Sequence, residues 1–226
     1  MIKEFLEFLG GGICHQIPER SLVLKSSYLP LCARCTGIYL GVFICFIYLV
    51  LRKRKNGNQP PSIPLLAILV LAFLPLIGDG LSSYLEFRET SNAIRLITGI
   101  LFGSSLPFFI ILIKNYDIKG NNDKPIIQNI NEYSKIVAIA LLVGFWVYSG
   151  YIPSWYLVSF ILIFSIYMLY TQLFIGILKQ IFPCFKVHRY MLTMAAYVMA
   201  FAWINLLSLF QRWVLRVIFY HHYNVL

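Results

Sequence analysis

Pro30-Leu31-Cys32-Ala33-Arg34-Cys35-Thr36-Gly37-Ile38-Tyr39-Leu40-Gly41 is the stretch on which the reading of this chain turns. A polar segment with two cysteines and an arginine passes here directly into an apolar run ending near Leu51. About 20 mostly apolar residues carry a helix across about 30 Å of hydrocarbon, so the stretch reads as the mouth of a membrane-spanning helix from Leu31 to Leu51.

Five more runs have this character: Ile63 to Leu81, Ala93 to Ile113, Ile136 to Ile152, Trp155 to Leu178 and Tyr190 to Phe210. The expected fold is all-α: a polytopic membrane protein of about six transmembrane helices, one domain over 1–226. A short interfacial helix is expected at the N-terminus, where Ile2, Phe5, Leu6 and Leu9 mark one face, followed by a cysteine-bearing outer loop. Glu4 and Glu7 interrupt any secretory h-region there. Beyond Phe210, Trp213, Phe219 and Tyr220 alternate with Arg212, Arg216 and the His221-His222 pair, which suggests an interfacial tail rather than a seventh span.

Composition agrees. The chain has 226 residues, 59% of them hydrophobic, and a mean hydropathy of +0.75, far more apolar than a soluble domain. A net charge of +10 would suit nucleic acid, but the cations lie in short clusters between apolar runs and form no basic stripe interleaved with aromatics, so no nucleic-acid partner is expected. Membrane lipid is the expected surrounding.

Those clusters set an orientation. Arg52-Lys53-Arg54-Lys55 follows the first span; Lys114, Lys119, Lys124 and Lys135 lie between the third and fourth; Lys179, Lys186 and Arg189 lie between the fifth and sixth. Six spans put these loops on one side, which the positive-inside rule makes cytoplasmic. A multi-pass protein of the cell membrane with both termini extracytoplasmic is the expectation.

Two features of the first three spans point to a site. The purely apolar part of the second, Ile63 to Ile77, reaches only about 22 Å at 1.5 Å per residue. Gly78-Asp79-Gly80-Leu81 must therefore enter the membrane, and an acid there is costly unless paired. Its alternative is a solvated residue after a short helix. Thr36-Gly37-Ile38-Tyr39-Leu40-Gly41 is echoed by Thr98-Gly99-Ile100-Leu101-Phe102-Gly103, each shortly after an arginine, Arg34 or Arg95. Both are small-xxx-small patterns that let helices approach closely in lipid. If the glycine faces meet, the two guanidinium groups arrive at one level and call for an anion: Asp79, Glu86 or Glu89, or a phosphate or carboxylate ligand. The alternative is that both arginines snorkel to the interface. Asn92, Arg95 and Gly99 fall on one helix face.

Cys14, Cys32 and Cys35 gather before or at the first span, with His15 beside the first. Seventeen residues separate Cys14 from Cys32, a spacing found in zinc sites. Pro30 suits a first-turn position, and a helix N-terminus stabilises thiolate, the form that binds metal. Three readings stay open: a zinc or iron site on Cys14, Cys32 and Cys35 with His15 or water as fourth ligand, a disulfide, and a thiol-disulfide exchange pair. Cys45 and Cys184 read as ordinary residues, His188 as a cytoplasmic end residue, and His221-His222 as a terminal pair with a weak claim to metal.

Cys14-His15-Gln16, Glu19-Arg20-Ser21, the Pro30 to Gly41 block, Asp79, Arg88, Ser91-Asn92, Arg95 and Thr98-Gly99 together resemble an uncharacterised family of membrane proteins, the domain of unknown function 2085. The resemblance covers roughly the first half of the chain. It implies that these positions form one site and implies no substrate.

The functional expectation is a metal-dependent membrane enzyme, hydrolase or transferase, acting on an anionic lipid or isoprenoid head group. Arg34, Arg88, Asn92 and Arg95 would bind the head group, Cys14, His15, Cys32 and Cys35 the metal, and Asp79 or His15 would move protons. A carrier for an anion or metal ion is the alternative, and thiol redox exchange the third.

Overall fold

A computed structural model describes residues 1–85, 88–118, 120–152, 154–182 and 189–223, of which 189 and 215–223 are described by backbone alone. Glu86, Lys119, Cys184, Lys186 and His188 lie outside the described residues, as do the side chains of Arg189, Arg216, Phe219, Tyr220 and the His221-His222 pair.

Among the described residues six helical segments are long and apolar enough to cross a membrane, so the protein is an all-α polytopic membrane protein. Helix α1 spans Ile2–Gly11, and a single 3-10 turn, Pro18–Arg20, follows. Strands β1 (Ser21–Leu24) and β2 (Ser27–Cys32) come next, then α2 (Ala33–Leu51), α3 (Ile63–Leu71), α4 (Leu74–Tyr84) and α5 (Asn92–Asn115). The chain closes with α6 (Ile130–Tyr148), α7 (Trp155–Ile181) and α8 (Arg189–Tyr223).

Helices α2 and α5 form the centre, flanked by α6 and α7, with α4 against α5 and α8 against α7 and α1. Glycine is the reason the central pair meets. A methyl group added at Gly41 would sit 2.7 Å from the Ile100 carbonyl oxygen and 2.7 Å from the Ser104 nitrogen. Gly37 abuts the Leu96 backbone, Gly99 that of Arg34 and Gly103 that of Ile38. Contacts advance in the same direction along both chains, so the helices run parallel with the two glycine patterns face to face. In lipid, such backbone contact substitutes for the missing hydrophobic drive between helices.

The second span is broken. Pro75 lacks the N–H that would bond back to Leu71, and α3 gives way to α4 across Ala72 and Phe73. Together they cover Ile63–Tyr84, three residues longer than the expected run to Leu81. Asp79 is therefore part of a helix and buried, not a solvated loop residue.

The other departures have local causes. Helix α6 begins at Ile130, not Ile136, because Asn129 caps it by accepting from the Glu132 N–H at 3.1 Å and because Glu132 has arginine partners. It ends at Tyr148, where Gly150 takes a left-handed φ of 74°. The segment after Phe210, expected as a separate interfacial tail, continues α8 without interruption to Tyr223.

The largest omission is the hairpin. The expected outer loop is a two-stranded antiparallel ribbon that pairs Ser21 with Cys32, Val23 with Tyr28 and Leu24 with Ser27. Lys25 and Ser26 make its turn, both with positive φ (45° and 60°), the conformation that matches the twist of a two-residue hairpin. Pro30 lies in β2 instead of the first turn of α2, and Cys32 takes the N-cap position. The ribbon is held to the bundle by the Trp155 indole, which donates to the Tyr28 carbonyl at 2.8 Å.

Candidate metal centre

The sulfur atoms of Cys14, Cys32 and Cys35 lie within 4.8 Å of one another. Each arrives by a different device. Cys32 sits at the N-cap of α2, and Cys35, three residues on, projects from the first turn on the same side. Cys14 follows α1 in the chain and is brought over Cys32, whose N–H donates to the Cys14 sulfur at 3.1 Å.

Gln16 secures this fold-back. It adopts a left-handed φ of 53°, and its Nε2 donates to the Glu7 carbonyl at 2.6 Å and the Pro30 carbonyl at 2.9 Å. One amide thus ties α1 to β2 on either side of the thiols. From the far end of the chain, Gln211 donates to the Cys14 carbonyl at 3.2 Å. The glutamine of Cys14-His15-Gln16 is a positioning residue, a role the sequence reading did not assign.

One sulfur is set apart electrostatically. Hydrogen bonds from the Cys14 and Cys35 thiols, reinforced by the N–H groups of Cys35 and Arg34 at the start of α2, pull the Cys32 pKa well below the usual thiol range. Cys14, donating to that thiolate and buried, is pushed above it.

Three sulfurs bound to one zinc at about 2.3 Å each lie about 3.8 Å apart, so these sulfurs need only a small contraction to hold an ion. An all-thiolate set suits zinc, iron or another soft ion and not magnesium or calcium. The cluster is thus capable of ligating a metal. His15 is exposed, lines the cavity in front of the sulfurs and is not part of the three-sulfur set.

That cavity, about 360 Å³, is lined by the three cysteines with His15, Arg20, Arg34, Tyr84 and Arg95 among others. A second, of about 610 Å³, is lined by Arg20, Arg88, Arg95, Glu19, Glu89, Thr90 and Ser83. Arg20 and Arg95 belong to both. The Thr90 hydroxyl is buried and has no hydrogen-bond partner among the described residues.

The arginines are not equivalent. Arg34 is committed to Asp79: its Nε donates to Oδ2 at 3.0 Å, and Nη2 closes on the same oxygen. Asp79 thus sits behind Arg34 and lines neither cavity. Arg95, 8% exposed, donates from Nη1 to Asn92 Oδ1 at 3.0 Å, while Asn92 donates to the Glu19 carbonyl at 3.1 Å. Asn92 therefore steers Arg95 and docks the 3-10 turn, and it lines neither cavity. Arg88 is exposed at the second. Arg20 and Thr90 were not among the expected ligand-binding residues. Arg20 was legible as part of Glu19-Arg20-Ser21; nothing in the sequence marks Thr90.

Fold and site together define a multi-span membrane protein whose first helices carry a three-thiol cluster beside an arginine-lined cavity. The chain belongs to the family described as predicted membrane protein, DUF2085, whose match covers residues 14–109. An uncharacterized protein of Methanothermobacter thermautotrophicus is 37% identical over 103 residues, 46% of this chain and 88% of its own. One of Methanocaldococcus jannaschii is 36% identical over 102 residues, 45% of this chain and 63% of its own. No solved structure matches. The family match begins at the first thiol and reaches into α5, so it takes in the sulfurs and the arginines and leaves α6 to α8 outside.

Proposed function

We propose that this protein is a metal-dependent membrane enzyme, a hydrolase or transferase, acting on the anionic head group of a lipid or isoprenoid at the outer face of the cell membrane. The observation that carries this reading is that Arg20 and Arg95 line both the cavity of the sulfurs and the larger arginine cavity. A head group gripped by the arginines lies beside the thiols.

In this reading Cys14, Cys32 and Cys35 hold the ion, zinc or iron, with His15 or water as fourth ligand. A bound ion of this kind supplies Lewis acidity and a readily deprotonated water. Arg20, Arg88 and Arg95 bind the anion as guanidinium forks bind phosphate, with the unpartnered Thr90 hydroxyl as a further donor. Asn92 positions Arg95, and Asp79 keeps Arg34 fixed at the cavity wall. With water as the fourth ligand, His15, exposed at the same cavity, is free to move the proton; for Asp79 to do so, Arg34 must first swing away. The apolar part of the substrate stays in the bilayer. Loop cations at the opposite end of the helices orient this site, and both termini, outward.

The test is metal analysis of purified, reduced protein. Wild type should carry about one ion per chain and Cys32→Ser none. An absence of stoichiometric metal in wild type removes the mechanism, and mixed disulfides trapped by Cys32→Ser would favour thiol exchange instead. Arg95→Lys, which keeps charge and loses the fork, should abolish head-group binding while metal remains.

A further inference from the structure

The glycine contacts fix how the two central helices begin. Gly37 meets the backbone of Leu96 and Ile100, and Gly41 that of Ile100 and Ser104, a register that sets the first turn of α5 level with the start of α2. Two helix N-termini therefore open side by side at one end of the bundle, and the dipole of each helix favours an anion there.

Each N-terminus has its own cavity. The sulfur cavity takes Cys32, Arg34 and Cys35 from the start of α2. The outer cavity takes Arg95 from the first turn of α5, with Arg88 and Thr90 from the residues just before it. Arg20 and Arg95 line both and so stand where the two compartments meet.

A single phosphoryl group between Arg20 and Arg95 leaves much of this unused. Thr90 is 6% exposed, and its hydroxyl has no partner among the described residues; a buried hydroxyl calls for an acceptor, and the outer cavity is where one can come. The thiols lie in the other compartment. Glu19 and Glu89, both exposed, also line the outer cavity, so net charge alone does not hold an anion there and the buried Arg95 and Thr90 select it by direction. An anion that reaches Thr90 and the thiols together needs two charged centres, one on each side of the shared arginines.

We propose that the ligand of this site is a diphosphate, with one phosphoryl group at the thiol end of α2, the other on Arg88 and Thr90 before α5, and Arg20 and Arg95 at the bridge between them. This rests on the function proposed above and narrows its anionic head group to two linked phosphoryl groups.

Isothermal titration of the purified full chain in detergent, with inorganic pyrophosphate against inorganic orthophosphate, tests the proposal. One pyrophosphate per chain should bind at least about 10-fold more tightly than orthophosphate, and Thr90→Val, which changes no charge, should weaken it about 10-fold, as losing a hydrogen bond to a charged oxygen does. Should Thr90→Val not fold, Arg88→Gln, at an exposed position, should weaken pyrophosphate by about the same factor. Arg52→Gln, at the opposite end of the helices, should change nothing. Farnesyl diphosphate binding more tightly than pyrophosphate assigns the phosphoryl groups to a lipid and equal binding to a soluble compound; either supports the diphosphate. Equal affinity for pyrophosphate and orthophosphate, a separate pyrophosphate in each cavity, or unchanged binding in Thr90→Val and Arg88→Gln would each overturn it. Metal content of the same samples separates the two readings: metal without a preference for pyrophosphate removes the diphosphate alone, whereas a Thr90-dependent preference in metal-free protein keeps the diphosphate and removes the metal enzyme.

Discussion

Where α2 ends, Arg52 and Arg54 close on one carboxylate, Glu132, and the region is locked. Where α2 begins, Arg34 alone among the described arginines of that end forms an ion pair, while Arg20, Arg88 and Arg95 line open cavities with Glu19 and Glu89 at some distance. A buried or half-buried cation without an ion pair is costly near a membrane. Arginine satisfied by an acid at one end is a stability element, and under the proposed function the arginines without an ion pair at the other end are the ones that meet the ligand. The thiols fall at the open end.

The contrast breaks most visibly at Cys32. Cys32→Ser should cut metal content at least about 10-fold, since losing even an outer-shell partner of a metal site costs that much, while thermal stability in apo form stays near that of metal-free wild type. Glu132→Ala should do the reverse: metal content unchanged, but about 1–3 kcal/mol of stability lost in chemical or thermal unfolding, because Arg54 is left without its acceptor. If Glu132→Ala strips the metal, the two ends are not separable.

Smaller effects sharpen the picture. Gly41→Leu forces the α2 and α5 backbones apart and should destabilise by about 1–3 kcal/mol as overpacking does, with melting temperature in detergent as the measure. Gln16→Ala removes two hydrogen bonds to carbonyls, about 0.5–1.5 kcal/mol each, and should loosen metal affinity more than it lowers the melting temperature. An equal effect of Gln16→Ala on apo and metal-loaded stability would make Gln16 a general staple and not a positioning residue.

Much of this was legible beforehand. The six spans follow from the length and apolarity of each run, and the meeting of Gly37 and Gly41 with Gly99 and Gly103 follows from their matching spacing. Errors fell where a polar residue's partner lies far away in the chain. Glu132 reads as loop in the sequence because its partner Arg54 lies 78 residues upstream, and the apolar run by itself begins only at Ile136. The hairpin is not legible because Leu22, Leu24, Leu29 and Leu31 cover too few residues to separate strand from loop by periodicity. Asn92 reads in the sequence as a ligand donor, and only the structure shows its amide engaged by Arg95 and the Glu19 carbonyl.

The sequence alone determined that this is a membrane protein with thiols and arginines before or within its first three spans, because hydropathy over about 20 residues is a local property and the bilayer imposes it on any chain. Which polar groups meet was decided by tertiary structure: Arg34 taken by Asp79, Arg95 turned by Asn92, Cys14 folded back onto Cys32 through Gln16. Hydrogen bonds and ion pairs act over about 3 Å, and which groups come that close is settled only when the backbones of α2 and α5 touch and the hairpin packs against α1 and α7.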